Sequence, residues 1–251
     1  MNDDLIGDII SVKIDAEMSV STLYALETIF FLRLQLAQLA NESNEPVYES
    51  LCRIRYEQIS KTLTKKYRSA ATVNEKIEIL ERLEAIEMFV NNEHSRLALE
   101  KSEELAGAPG LTYSQQLRLS WMFDMESANW KETIDRLLPQ VSNAFDLATL
   151  ADIEMFGTEE QRQRIMHLYT SRFDAALQTG DTAELGRLLS LAAYRTIAPQ
   201  RREHLTVLAA KAADIPGLSL PERRVIHLAV EIYARIDTLT GKYENFDYIP
   251  A

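Results

Sequence analysis

Glycine and proline are scarce in this chain, eight and seven among 251 residues. Few turn formers over that length allow few turns, which favours long helices over many short strands. Cysteine is nearly absent. Cys52 stands alone, so no disulfide can form within the chain, and a reducing compartment is its natural setting. Long hydrophobic runs are missing too. The most apolar stretch, Met18 to Ala40, is interrupted by Glu27 and Arg33, short of the ~18 uninterrupted apolar residues of a membrane span. Positive charge is outweighed: 27 Lys and Arg against 38 Asp and Glu give a formal net charge of −11. That balance argues against coating nucleic acid, which needs cations against phosphates. Asp3 and Asp4 stand where a secretory leader would be basic, so the expected place is the cytoplasm, with signal-less export left open.

The familiar catalytic signatures are also absent. The chain has no Gly-rich phosphate loop, no Gly-x-Ser-x-Gly elbow, no His-Glu-x-x-His helix and no Cys-x-x-Cys pair. No cofactor or metal is expected. An enzymatic role is disfavoured but stays open, because helical enzymes can assemble sites from unmarked residues.

What the chain does have is a recurring helix start. Pro109-Gly110-Leu111-Thr112-Tyr113-Ser114-Gln115 matches Pro216-Gly217-Leu218-Ser219-Leu220-Pro221-Glu222, and Gly157-Thr158-Glu159-Glu160-Gln161 repeats the second half. Each places Ser or Thr three residues before Gln or Glu, the capping-box spacing. Thr72 and Glu75 give another. Candidate helix starts in the second half are Thr112, Asn129, Asp146, Thr158, Asp181, Pro199 and Ser219, with Gly157, Gly180 and Gly241 in C-cap positions. A helix pair therefore occupies about 36 residues, within the band of stacked helical repeats. The tetratricopeptide spacing is missing. One stretch, 175–189, resembles a single ankyrin-like helix pair, occurs once, and assigns no family. The fold expected is all-α: an irregular array of antiparallel helix pairs, solenoid-like over 108–251, packed on a bundle of longer helices over 1–107. One continuous domain is the alternative to two parts.

In the first part, residues 21–40 read as a helix apolar nearly all round, hence central. Residues 46–68 carry two apolar stripes, Val47/Leu51/Ile54 and Tyr48/Cys52/Ile59/Leu63, as for a helix packed between two neighbours. The next helix holds Ile79, Leu83, Ile86 and Val90 at spacings of four, three and four, a coiled-coil-like seam and a possible interface. Charge is segregated: 53–68 has six Lys or Arg and one Glu, while 75–104 has nine Glu and four Lys or Arg. The two sets either face each other or face water. The sharper reading makes Lys61, Lys65, Lys66 and Arg68 a basic dock for an acidic partner.

Arginines crowd three helix starts, where the backbone dipole favours acids. Arg162 and Arg164, Arg201 and Arg202, and Arg223 and Arg224 would form a basic strip if those starts share an edge, able to hold an anionic group or an acidic segment. Arg-x-x-His recurs before His167, His204 and His227, a packing pattern first. The tail holds Tyr243, Phe246 and Tyr248, aromatics expected either to cover a core edge or to serve as a motif for a partner. The expected function is a helical interaction protein (adaptor, chaperone or assembly factor) acting on another protein. A small-ligand binder or enzyme using the arginines, and a homo-oligomer such as a homodimer, are the alternatives.

Overall fold

The computed structural model describes residues 11–39, 45–87, 93–121, 129–195, 207, 210–211, 215–225 and 227–229. Val90, Arg201, Arg202, His204, Tyr243, Phe246 and Tyr248, with the helix start expected at Pro199, lie outside the described residues.

Every regular element among the described residues is helical. The helices are α1 (Val20–Leu39), α2 (Glu45–Ser69), α3 (Val73–Glu87), α4 (Glu93–Ala106), α5 (Tyr113–Trp121), α6 (Trp130–Leu137), α7 (Ala144–Ile153), α8 (Glu159–Thr179) and α9 (Thr182–Arg195). Single 3-10 turns follow α6 (Leu138–Gln140) and α7 (Glu154–Phe156). Residues 220–225 and 227–229 are also helical. Residues 11–19 form no strand despite the alternation that ends at Val12 and Ile14. Those two side chains instead lean on the core, and the Val12 carbonyl accepts from Arg55 Nη1 at 3.3 Å. None of the described helices is long and apolar enough to cross a membrane.

α1 is buried as its hydropathy predicts. Leu23, Leu26, Ile29, Phe30, Leu32 and Leu34 are all nearly inaccessible, because α2 and α9 flank the helix and α3 touches it. α2 departs from expectation. Its Cys52–Ile59–Leu63 stripe faces inward, but Val47 and Ile54 remain 58% and 53% exposed. One stripe suffices to pack α2 on α1 and α3, so the other is left at the surface.

The seam on α3 corrects another expectation. Ile79, Leu83 and Ile86 are at most 1% exposed, enclosed by α1, α2, α4 and α5 of the same chain. They are internal core and unavailable to a partner.

Helix contacts run α1–α2–α3–α4–α5, then α5–α7–α8–α9, and α9 lies back along α1. α8 and α9 are antiparallel, joined at Gly180 and Asp181. Arg172 pairs with Glu184, and the Tyr169 hydroxyl donates to the Leu188 carbonyl. One hydrophobic cluster contains Leu26 and Leu83 together with Leu150, Phe173 and Leu188. Packing thus crosses the 107/108 boundary. Ile77, Leu119 and Phe145 form a smaller second cluster.

Candidate functional site

The repeated phrase does what its chemistry requires. Thr112, Thr158 and Ser219 accept from the amide three residues on at 3.2, 3.2 and 3.4 Å. The Gln or Glu at that position accepts from the cap's own amide at 2.8 Å in all three copies. Gly110 and Gly217 take φ of 80° and 85°, the second central position of a type II turn led by proline. Thr72 caps Glu75 in the same way, although the Glu75 carboxylate returns to the Ala71 amide. Two of the expected landmarks move. α7 is capped by Asn143, whose side chain accepts from the Asp146 amide, so the helix begins two residues before the expected start. Gly157 is extended rather than a left-handed C-cap. A side chain there would meet Ile134 Cδ1 at 2.9 Å.

Each capping residue at the third position has a second task invisible in sequence. Gln115 Nε2 donates to Asn74 Oδ1 at the start of α3, 2.6 Å away. Gln161 Nε2 donates to the Lys131 carbonyl and to Asp135 on α6, both at 2.9 Å. Glu222 Oε1 accepts from Ser21 in the first turn of α1 at 2.5 Å. One side-chain atom caps its own helix, and another ties that helix to an earlier one.

The third copy joins residues 201 positions apart. Glu222 is buried, and Ser219 gives its carboxylate both an amide and a hydroxyl bond. Thr22 and Ser19 continue the hydroxyl network. Gly186 of α9 lies against the same carboxylate; a Cβ there would overlap Glu222 Oε1. α1, α9 and the helical segment at 220 therefore meet on one buried acidic side chain.

A second buried polar centre spreads from α3. Arg118 of α5 donates to Glu81 at 2.6 Å and to Asp152 of α7 at 3.0 Å, and its guanidinium lies 4.9 Å from the centre of the Phe145 ring. Arg82 reaches Glu27 of α1 at 3.4 Å and stacks 4.3 Å over Tyr24. Glu78 meets Arg187 of α9 at 3.4 Å. Burial pushes the Glu27 and Glu78 carboxyls above their usual range, against the pull of Arg82 and Arg187. Physically, this network fastens α3 to α1, α5, α7 and α9. None of these residues stood out in the sequence, because single charges at helical spacing look like solvated surface.

Among the described residues, a compact apolar projection stands on the surface. Met155 and Phe156, in the turn after α7, are 65% and 42% exposed. Phe156 stacks on Trp130 at the start of α6, centroids 5.6 Å apart. The turn is held firmly: Gly157 donates back to Glu154, Glu154 is buried, and Gln161 bonds α6 as above. A three-residue turn has no periodicity, so its exposure was not legible.

Of the sequence-predicted arginines, Arg201 and Arg202 lie outside the described residues, and the others sit on α8 and on the segment at 220. Arg162 is engaged locally, bonded to Glu159 at 3.0 Å and to the Gly157 carbonyl at 3.0 Å. Arg164 and Arg223 are exposed and Arg224 is half-buried. α8 meets α9 through Glu184 and Leu188, whereas Glu222 meets Gly186. Two residues are ~200° of helix rotation, so α9 stands between the two described arginine pairs. His167 is exposed and His227 half-buried. Cys52 is a buried free thiol beside the Phe30 carbonyl, with its pKa pushed up to about 11 by burial. Among the described residues no group of three or more His, Cys, Asp and Glu is placed to hold a metal ion. No family model, no curated protein and no solved structure matches this chain.

Proposed function

We propose that this chain is a helical protein–protein interaction module of the adaptor, chaperone or assembly-factor kind, with the Met155–Phe156–Trp130 knuckle as its contact point for another protein. The observation that carries the reading is the exposure of Met155 and Phe156 on a turn closed by the Gly157–Glu154 backbone bond and flanked by the part-buried Gln161 bonds to α6. Trp, Phe and Met are enriched at the centres of interfaces, and a rigid anchor loses little entropy on binding. The antiparallel pairing of α8 and α9 supports the finer picture of a helix-pair array, and the packing of α9 on α1 supports one continuous domain. A cytoplasmic setting belongs to the same proposal.

The test compares proteins co-purifying with the wild type and with Met155→Asp and Phe156→Ser from the native cell. The expected result is selective loss of a co-purifying protein from both variants, with far-ultraviolet circular dichroism unchanged. An unchanged set of co-purifying proteins overturns the reading.

A further inference from the structure

α2 carries a stripe at heptad spacing, Val47, Ile54, Lys61 and Arg68, and all four side chains are exposed. The stripe is apolar in its first half and basic in its second, and Lys65 lies beside it, also exposed. The ion pairs of α2 to Glu49 and Glu57 stay within the helix. The segregated charges of α2 and α4 therefore point outward. On α4, Glu100, Glu103 and Glu104 are exposed, with Leu99 46% exposed beside them.

α2 and α4 are direct neighbours. Each is linked through α3 by a short connection, so each runs antiparallel to α3 and parallel to the other. Tyr67 of α2 lies near enough to Lys101 and Glu104 of α4 to feel their charges, as expected when the basic end of α2 and the acidic end of α4 share one end of the parallel pair. The surface thus presents a basic, partly apolar ridge beside an acidic one.

We propose that this face binds a second copy of the chain about a two-fold axis parallel to α2 and α4. The rotation lays each α2 over the other copy's α4, so Lys61, Lys65 and Arg68 meet Glu100, Glu103 and Glu104 twice. Laying α2 over α2 about a parallel axis would instead set cations on cations. Isologous contacts require such self-complementarity, and complementary charge fixes orientation and register. This surface lies on different helices from the Met155–Phe156 knuckle, so either can fail without the other.

Sedimentation equilibrium on the full chain tests the proposal. The wild type is expected to dimerise at about 100 µM or below, with an affinity that falls at least about tenfold at 1 M salt, where the screening length shrinks to ~3 Å. The triple substitution Lys61→Glu/Lys65→Glu/Arg68→Glu is expected to be monomeric, and so is Glu100→Lys/Glu103→Lys/Glu104→Lys. An equimolar mixture of the two should dimerise, because one contact keeps its native signs and the other has both reversed. Rescue on mixing also shows that each variant is folded. A monomeric wild type, a dimer that survives either substitution set, or a mixture that stays monomeric overturns it.

Discussion

α1 and α3 are both central, yet they are buried by different physics. α1 is buried mainly by apolar side chains packed under α2, α9 and α3, with Glu27 and the Ser21 hydroxyl among the polar exceptions. α3 buries an apolar seam on one side and fastens Glu78, Glu81 and Arg82 to arginines and carboxylates on the other. Apolar burial is non-directional and fixes that a helix is inside. An ion pair taken out of water must be met by a specific partner, because an unmet charge is costly. α1 therefore supplies bulk stability. α3 specifies which helices stand around it.

Removing the arginine that joins two ion pairs of the α3 network should be the most damaging single change. Arg118→Ala leaves Glu81 and Asp152, each only 13% exposed, without their shared cation. The expected loss is about 4 kcal/mol by urea denaturation, in the range for orphaning a buried charge. A loss below about 1 kcal/mol would show that water already compensates these carboxylates. On the apolar side, Leu26→Ala should cost about 3 kcal/mol, since its side chain is fully enclosed and leaves a cavity. If Leu26→Ala exceeds Arg118→Ala, the contrast between the two helices is reversed.

The closure between chain ends should be next in size. Gly186→Ala drives a methyl into the Glu222 carboxylate that holds α1 to the segment at 220. A loss of about 2 kcal/mol is expected from such overpacking. Amide exchange should speed up at 220–225 and in the first turn of α1 while α3 stays protected. Uniform acceleration would mean that the closure and the α3 network open together.

The smallest effect is a slope with pH. Glu27 and Glu78 have folded pKa values raised by burial, so the folded state holds their protons more tightly than the unfolded chain. Their contribution is then fully present below the unfolded carboxylate range and is lost as pH rises through the raised values. Glu27→Gln should accordingly compare more favourably with wild type at pH 8 than at pH 4. Parallel stability–pH curves for the two proteins would show that the pull of Arg82 offsets burial and leaves Glu27 at its unfolded pKa.

Much of the local structure was legible from residue order alone. The capping phrases located the starts of α5, α8 and the segment at 220 to within a residue, because a cap needs only neighbours. The all-round apolarity of 21–40 gave α1 and its burial. Reading failed where two stretches of distant sequence had to meet. The Ile79–Leu83–Ile86 seam was read as a possible interface and is internal core, since periodicity states that a face is covered and not by what. The arginine strip assumed that three helix starts share an edge, and α9 separates the described pairs. The α3 network and the Met155–Phe156 knuckle carried no local signature.

By itself, then, the sequence determined helix content, helix starts and the centrality of α1, all set by bonds within a few residues or by hydropathy. Only the tertiary structure decided the partners: Gln115 with Asn74, Gln161 with α6, Glu222 with Ser21 and Gly186. A capping side chain has one atom committed to its own helix and one left over. Where the second atom goes depends on which helix packs alongside, and that is a property of the whole chain.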